Sequence, residues 1–145
     1  IAPIYPDYKV IVVIRAGSEV SASFDHQDFG PNDIVSAMDQ WEQRMIKSHN
    51  ATLACAPDVV LTIELQDLVQ LDRVGTVERI LEHCDLEASP EMMQWFDQTI
   101  TIEGAHSGRW RRDFSESAGA ALDELYAQAC ARLRALGVRV PISSD

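Results

Sequence analysis

Two groups of residues in this chain have types and spacings suited to chemistry. The first is Arg15, at the carboxyl end of the apolar run Val10 to Ile14, with Ser23 eight positions later. In open α/β sheets ligands bind beyond the carboxyl ends of the strands. A helix that starts there offers unpaired N–H groups and the positive end of its dipole to an anion. Arginine adds a bidentate fork suited to phosphate, and a hydroxyl at Ser23 can complete the contact. The competing reading pairs Arg15 with an Asp or Glu and leaves Ser23 on an ordinary helix surface. The second group is Gly108-Arg109-Trp110-Arg111-Arg112, where three of the chain's 12 basic residues fall within four positions. Glycine permits close backbone approach, and Trp110 offers a flat apolar surface. Here the competing reading is a structural tryptophan flanked by solvated arginines.

Other chemistries find little support. His26, His49, His83 and His106 stand apart from one another and from Cys at zinc-ligand spacings, so no metal site is expected. His106 is of most interest, two residues before the arginine-rich group. The chain has no G-x-S-x-G, H-E-x-x-H, G-x-G-x-x-G or G-x-x-x-x-G-K-[ST] motif. Asp113 with Glu116, and Glu78 with Glu82, read as solvated helix faces or caps. The three cysteines are far apart and of odd number, which predicts reduced, mostly buried thiols in a cytoplasmic protein.

These residues must be positioned by surrounding elements. Val10–Ile14 is a β-branched run bounded by turn residues, the pattern of a strand buried on both faces of a parallel sheet. Ser18 is placed as the N-cap of a short helix through Phe24, and 25–32 as a loop. Asn32 or Asp33 caps a longer helix with apolar positions Ile34, Val35, Met38, Trp41, Met45 and Ile46. Val59–Ile63 is a second strand, and Asp67-Leu68 opens a polar turn. Val74, Val77, Ile80 and Leu81 mark a helix ending near His83. Ser89-Pro90-Glu91 starts another, and 99–110 is irregular. Ser115 caps a last helix bearing Ala121, Leu122, Leu125, Ala129, Leu133 and Leu136, which stops at Gly137. Strands alternating with helices indicate an α/β fold.

The 145 residues suffice for one domain, and 46% hydrophobic against 24% charged residues excludes disorder. The formal net charge of −11 opposes binding to nucleic acid or an anionic membrane, and no apolar run is long enough for a span. The chain opens Ile-Ala-Pro-Ile, without an initiator Met. With only two strands expected, this suggests a piece of a longer protein whose further sheet strands lie elsewhere.

Taken in order, these segments resemble the sulfotransferases that use 3′-phosphoadenosine 5′-phosphosulfate (PAPS). Residues 5–15, YPDYKVIVVIR, look like the family's "FPDAKVIHLVR" strand, and residues 15–24, RAGSEVSASF, like its "RNPRDVAVSY" element. Trp41 falls where the family often has a tryptophan. Residues 60–68 resemble "VLVVRYEDL", residues 74–86 the "TLRRICEFLGL" helix, and Gly108-Arg109-Trp110-Arg111 the late "G-x-W-(K/R)" motif. The match runs over roughly 5–136. The resemblance implies a P-loop-NTPase-like sulfotransferase fold, α/β with a parallel sheet flanked by helices, present in part: residues 1–145 would be the C-terminal portion of a single domain. It implies PAPS as co-substrate and transfer of a sulfuryl group to a hydroxyl or amine of a small-molecule or carbohydrate acceptor. Arg15 and Ser23 would hold the 3′-phosphate, with Gly108, Arg109 and Trp110 closing the cofactor site.

There are departures. The "RYED" tyrosine is Leu65, and the family's "RKG" aligns with Glu103-Gly104-Ala105. The "PKSGTTWL"-like loop for the 5′-phosphosulfate and the usual catalytic His or Glu have no counterpart, so no catalytic residue is assigned. The isolated chain is expected to be inactive unless a homodimer, or Arg109, Arg111 and Arg112, completes the site. The alternative is a non-catalytic α/β module, derived from that fold, that binds a nucleotide or a partner. A P-loop kinase relative explains the Arg15–Ser23 element less well.

Overall fold

In a computed structural model, residues 7–24, 30–31 and 33–142 are described. Strand β1 (Val10–Ile14) leads into helix α1 (Gly17–Phe24), followed by α2 (Ile34–Leu53) and strand β2 (Val60–Glu64). A π-helical turn at Asp67–Leu71 precedes α3 (Arg73–His83), α4 (Pro90–Thr99) and the short α5 (Ile102–Ala105). The one-turn α6 (Trp110–Asp113) and the long α7 (Glu116–Ala135) complete the order. The expected α/β class is therefore observed. The strands form a two-stranded parallel sheet in the register Val10↔Val60 to Ile14↔Glu64.

The chain packs as two compact units. One contains β1, β2 and residues 52–105; the other contains residues 15–51 and the chain from His106 onward. In the first unit, Val77, Leu81 and Phe96 form the core, with Leu68, Met92, Met93 and Ile100 packed against it. Exposure along β1 alternates: Ile11 and Val13 are 38% and 53% exposed, whereas Ile14 is buried. The apolar run does not have both faces covered, as its composition suggests; alternate side chains of a strand point to opposite faces, and here one face is open. In the second unit, α2 buries Met38, Trp41 and Met45, and α7 buries Leu122, Tyr126, Ala129, Cys130 and Leu133. Trp41 lies 5.4 Å from the Tyr126 ring, and Arg132 of α7 holds Glu42 of α2 through both carboxylate oxygens. Burial pushes the Cys130 thiol up from its ordinary range, so it stays protonated.

Several helix boundaries follow from their caps. Ser89 accepts a hydrogen bond from the Met92 N–H with Pro90 at the first helical position, and Ser115 accepts from Ala118. Gly137, at φ +74°, ends the last helix in the left-handed conformation that favours glycine. Asp33 is the cap of α2: its Oδ1 accepts from the Ser36 N–H at 2.9 Å, and this bond lowers its pKa. Asn32 and residues 25–29 lie outside the described residues.

Four expectations need correction. Ser18 is not a cap; it is the second residue of α1 and fully buried. Gly17 starts the helix instead, packed so closely that an added Cβ would lie 2.7 Å from Trp41 and 2.9 Å from the Met38 sulfur. The expected turn at Asp67 is a π-helical turn closed by the Asp72 N–H donating to the Asp67 carbonyl at 3.0 Å. Arg73 supports it by donating to the Val69 and Ile100 carbonyls while lying 4.7 Å over the Phe96 ring. The 99–110 segment contains the one-turn helix α5. Finally, Val35, Val74 and Leu136 are exposed rather than core residues. Gly17→Ala is expected to lower stability by about 1–3 kcal/mol through overpacking against Trp41, measured by urea unfolding; an unchanged midpoint would show that this contact yields.

Candidate functional site

Within the second unit, one face of α1 meets the segment that carries α6 across a cavity of about 180 Å³. Arg15, Glu19, Ala22 and Ser23 line one side. Their spacing, i, i+4, i+7 and i+8, is that of a single helix face. His106, Arg109, Trp110, Asp113 and Phe114 line the other side at i, i+3, i+4, i+7 and i+8. The turn at its start is not helical: His106 has φ +53° and Gly108 φ +71°. A Cβ on Gly108 would meet nothing within 4 Å, so glycine serves the backbone angle there and not the packing.

Four of the five residues singled out from the sequence, Arg15, Ser23, Arg109 and Trp110, thus line one cavity. Gly108 adjoins it and donates its N–H to Glu19 Oε1 at 2.7 Å. The competing reading of Arg15 also contains a fact, since Arg15 donates to Glu19 Oε2 at 2.9 Å. Ser23 donates to the Val20 carbonyl at 2.7 Å, which leaves its oxygen able to accept and its proton able to turn to a better partner. Trp41 donates from its indole nitrogen to the Arg15 carbonyl at 3.0 Å and so fixes the backbone at the start of the site.

Reading by residue type missed the carboxylates. Glu19 pairs with Arg15, and Asp113 pairs with Arg109 at 2.8 Å, each at i, i+4. Asp113 is therefore part of the cavity wall and not simply a cap. The i+4 spacing was the available signal. The basic group also divides. Arg111 lies 4.4 Å over the Trp110 ring and bonds Asp123, and only Arg109 of the three arginines is among the cavity residues. The cavity is thus close to charge-neutral and not a concentrated positive patch.

The donor set suits a phosphate. Two guanidiniums, a hydroxyl and an imidazole share a space large enough for a phosphate group. It is smaller than the several hundred Å³ of pockets for larger ligands, roughly 300–1,000 Å³. Glu19 is 4% exposed at its side chain, with both oxygens engaged, so the Arg15 guanidinium and the Gly108 N–H partly offset its charge. Trp110 keeps a buried indole N–H without an acceptor among the described residues, a donor still to be satisfied. Among the described residues no helix is long and apolar enough to cross a membrane.

The two-stranded parallel sheet with helices between and after its strands defines the class as α/β, with Arg15 in the link from β1 to α1. Within that class, residues 1–90 match the pattern of the family described as "Sulfotransferase family". That span is more than half of the 145 residues and includes β1, α1, α2, β2 and α3, so the chain belongs to the sulfotransferase family. No curated protein and no solved structure matches it.

Proposed function

We propose that the chain is the C-terminal portion of a PAPS-dependent sulfotransferase domain that carries the 3′-phosphate end of the nucleotide site. The single observation that supports this most is the meeting of Arg15 and Ser23 with Arg109 and Trp110 around one phosphate-sized cavity, in a chain of this family. Arg15 and Ser23 hold the 3′-phosphate. Gly108, Arg109 and Trp110 close the site from the opposite side. When bound, PAPS supplies the sulfuryl group for transfer to a hydroxyl or amine of a small-molecule or carbohydrate acceptor. Such a transfer depends mainly on positioning and on stabilising charge. This chain's part in it is to bind and orient the nucleotide. A cytoplasmic location fits the cysteine usage. The net charge of −11 disfavours nucleic acid as a partner.

The test is incubation of the purified 145-residue chain with labelled PAPS and a panel of phenol, sugar and amine acceptors. No labelled product above a no-protein control is expected. Clear product would overturn the partial-domain reading and would require a complete site within this chain or across two copies of it.

A further inference from the structure

Glu19 is an unusual neighbour for an anion site. It lies on the cavity wall between the two segments that carry the donors, and its side chain is 4% exposed. An acid so placed repels an anion, and burying it is costly unless its oxygens are satisfied. Both are: Oε2 accepts from Arg15 at 2.9 Å, and Oε1 accepts from the Gly108 N–H at 2.7 Å. The first bond orients the guanidinium of Arg15, in the link just before α1. The second ties α1 to the turn at Gly108, where the backbone is held at φ +71° and from which Arg109 and Trp110 enter the cavity. The turn also carries its own backbone hydrogen bonds, Arg109 N–H to the His106 carbonyl and Arg111 N–H to the Gly108 carbonyl, both at 3.3 Å, and the Glu19 carboxylate is what joins it to α1.

Building on the nucleotide reading above, we infer that Glu19 is a positioning residue of the anion site: its carboxylate joins Arg15 to the Gly108 turn and so sets the spacing between the donors on the two walls. The net effect of Glu19 on anion binding is favourable despite its negative charge. This separates positioning from simple electrostatics by sign. If Glu19 acted only through its charge, its removal would tighten anion binding. If it were merely structural, its removal would lower the melting temperature and leave affinity unchanged wherever the chain is folded.

The experiment titrates adenosine 3′,5′-bisphosphate into the unmodified chain, Glu19→Gln and Glu19→Ala at a temperature where each is folded. Glutamine can still accept from Gly108 but no longer forms the ion pair, whereas alanine loses both bonds. The expected order of affinity is Glu, then Gln, then Ala, with Glu19→Ala weaker by about tenfold or more, the equivalent of one charge-assisted hydrogen bond. Unchanged or tighter binding in Glu19→Gln would overturn the inference alone. Absence of binding to the unmodified chain would overturn the nucleotide reading as well. A measurement independent of the variants is hydrogen exchange at the Gly108 amide in the unmodified chain. Slow exchange is expected, and exchange as fast as an open turn would show that the Glu19 tie does not form.

Discussion

Trp41→Ala is expected to be the most damaging single substitution, removing about 3–5 kcal/mol of stability, the usual range for a buried aromatic cut back to alanine. The residue is 4% exposed, its ring packs on Tyr126, and its edge is the wall that requires glycine at position 17. It also donates to the Arg15 carbonyl at 3.0 Å, so its loss leaves a cavity and releases the backbone that aims Arg15. Denaturant unfolding should show the loss directly. Trp41→Phe should recover most of the packing but not the hydrogen bond, giving a smaller deficit of roughly 0.5–1.5 kcal/mol from that bond plus the volume lost. A Trp41→Ala chain with near-native stability would mean that α2 is not held to the start of α1 as described.

Arg15→Ala carries the largest expected effect on binding. In the nucleotide reading, Arg15 gives the 3′-phosphate a charge-assisted contact. Its removal should weaken adenosine 3′,5′-bisphosphate binding by about 1.5–3 kcal/mol, between roughly tenfold and 150-fold. Arg15→Lys keeps the charge without the planar fork and should fall between the two. Because Arg15 also satisfies Glu19, Arg15→Ala leaves a buried carboxylate that has lost its charged donor and keeps the Gly108 N–H. Some stability should therefore be lost together with affinity. Calorimetry with unchanged affinity would remove Arg15 from the site.

What could be read from the sequence depended on how local the cause was. The starts of α4 and α7 were legible because Ser89-Pro90 and Ser115 act on the next turn of the backbone, and Gly137 ends α7 by its own conformation. Ser18 misled because serine is a favoured cap, whereas here the helix starts at Gly17, a glycine whose need is set 24 residues away by the approach of Trp41. The π-helical turn at Asp67–Leu71 was not legible. Its support comes from Arg73 reaching the Ile100 carbonyl, a contact between distant segments. At the site, Arg15 and Ser23 stood out by type and by family resemblance. Glu19 and Asp113 did not, since an acid four residues from an arginine is ordinary on a helix surface. Glu19 is buried where α1 packs on the chain after Gly108, and that packing is not written in any short motif.

The central claim is that the cavity on α1 recognises the 3′-phosphate of a nucleotide. Its most direct test is a pair of calorimetric titrations into the unmodified chain at low salt, one with adenosine 3′,5′-bisphosphate and one with adenosine 5′-monophosphate, which lacks only the 3′-phosphate. The account predicts measurable binding of the bisphosphate and at least about tenfold weaker binding of the monophosphate, the loss expected for one charge-assisted phosphate contact. Equal affinity for the two nucleotides, or no binding of the bisphosphate, would contradict it.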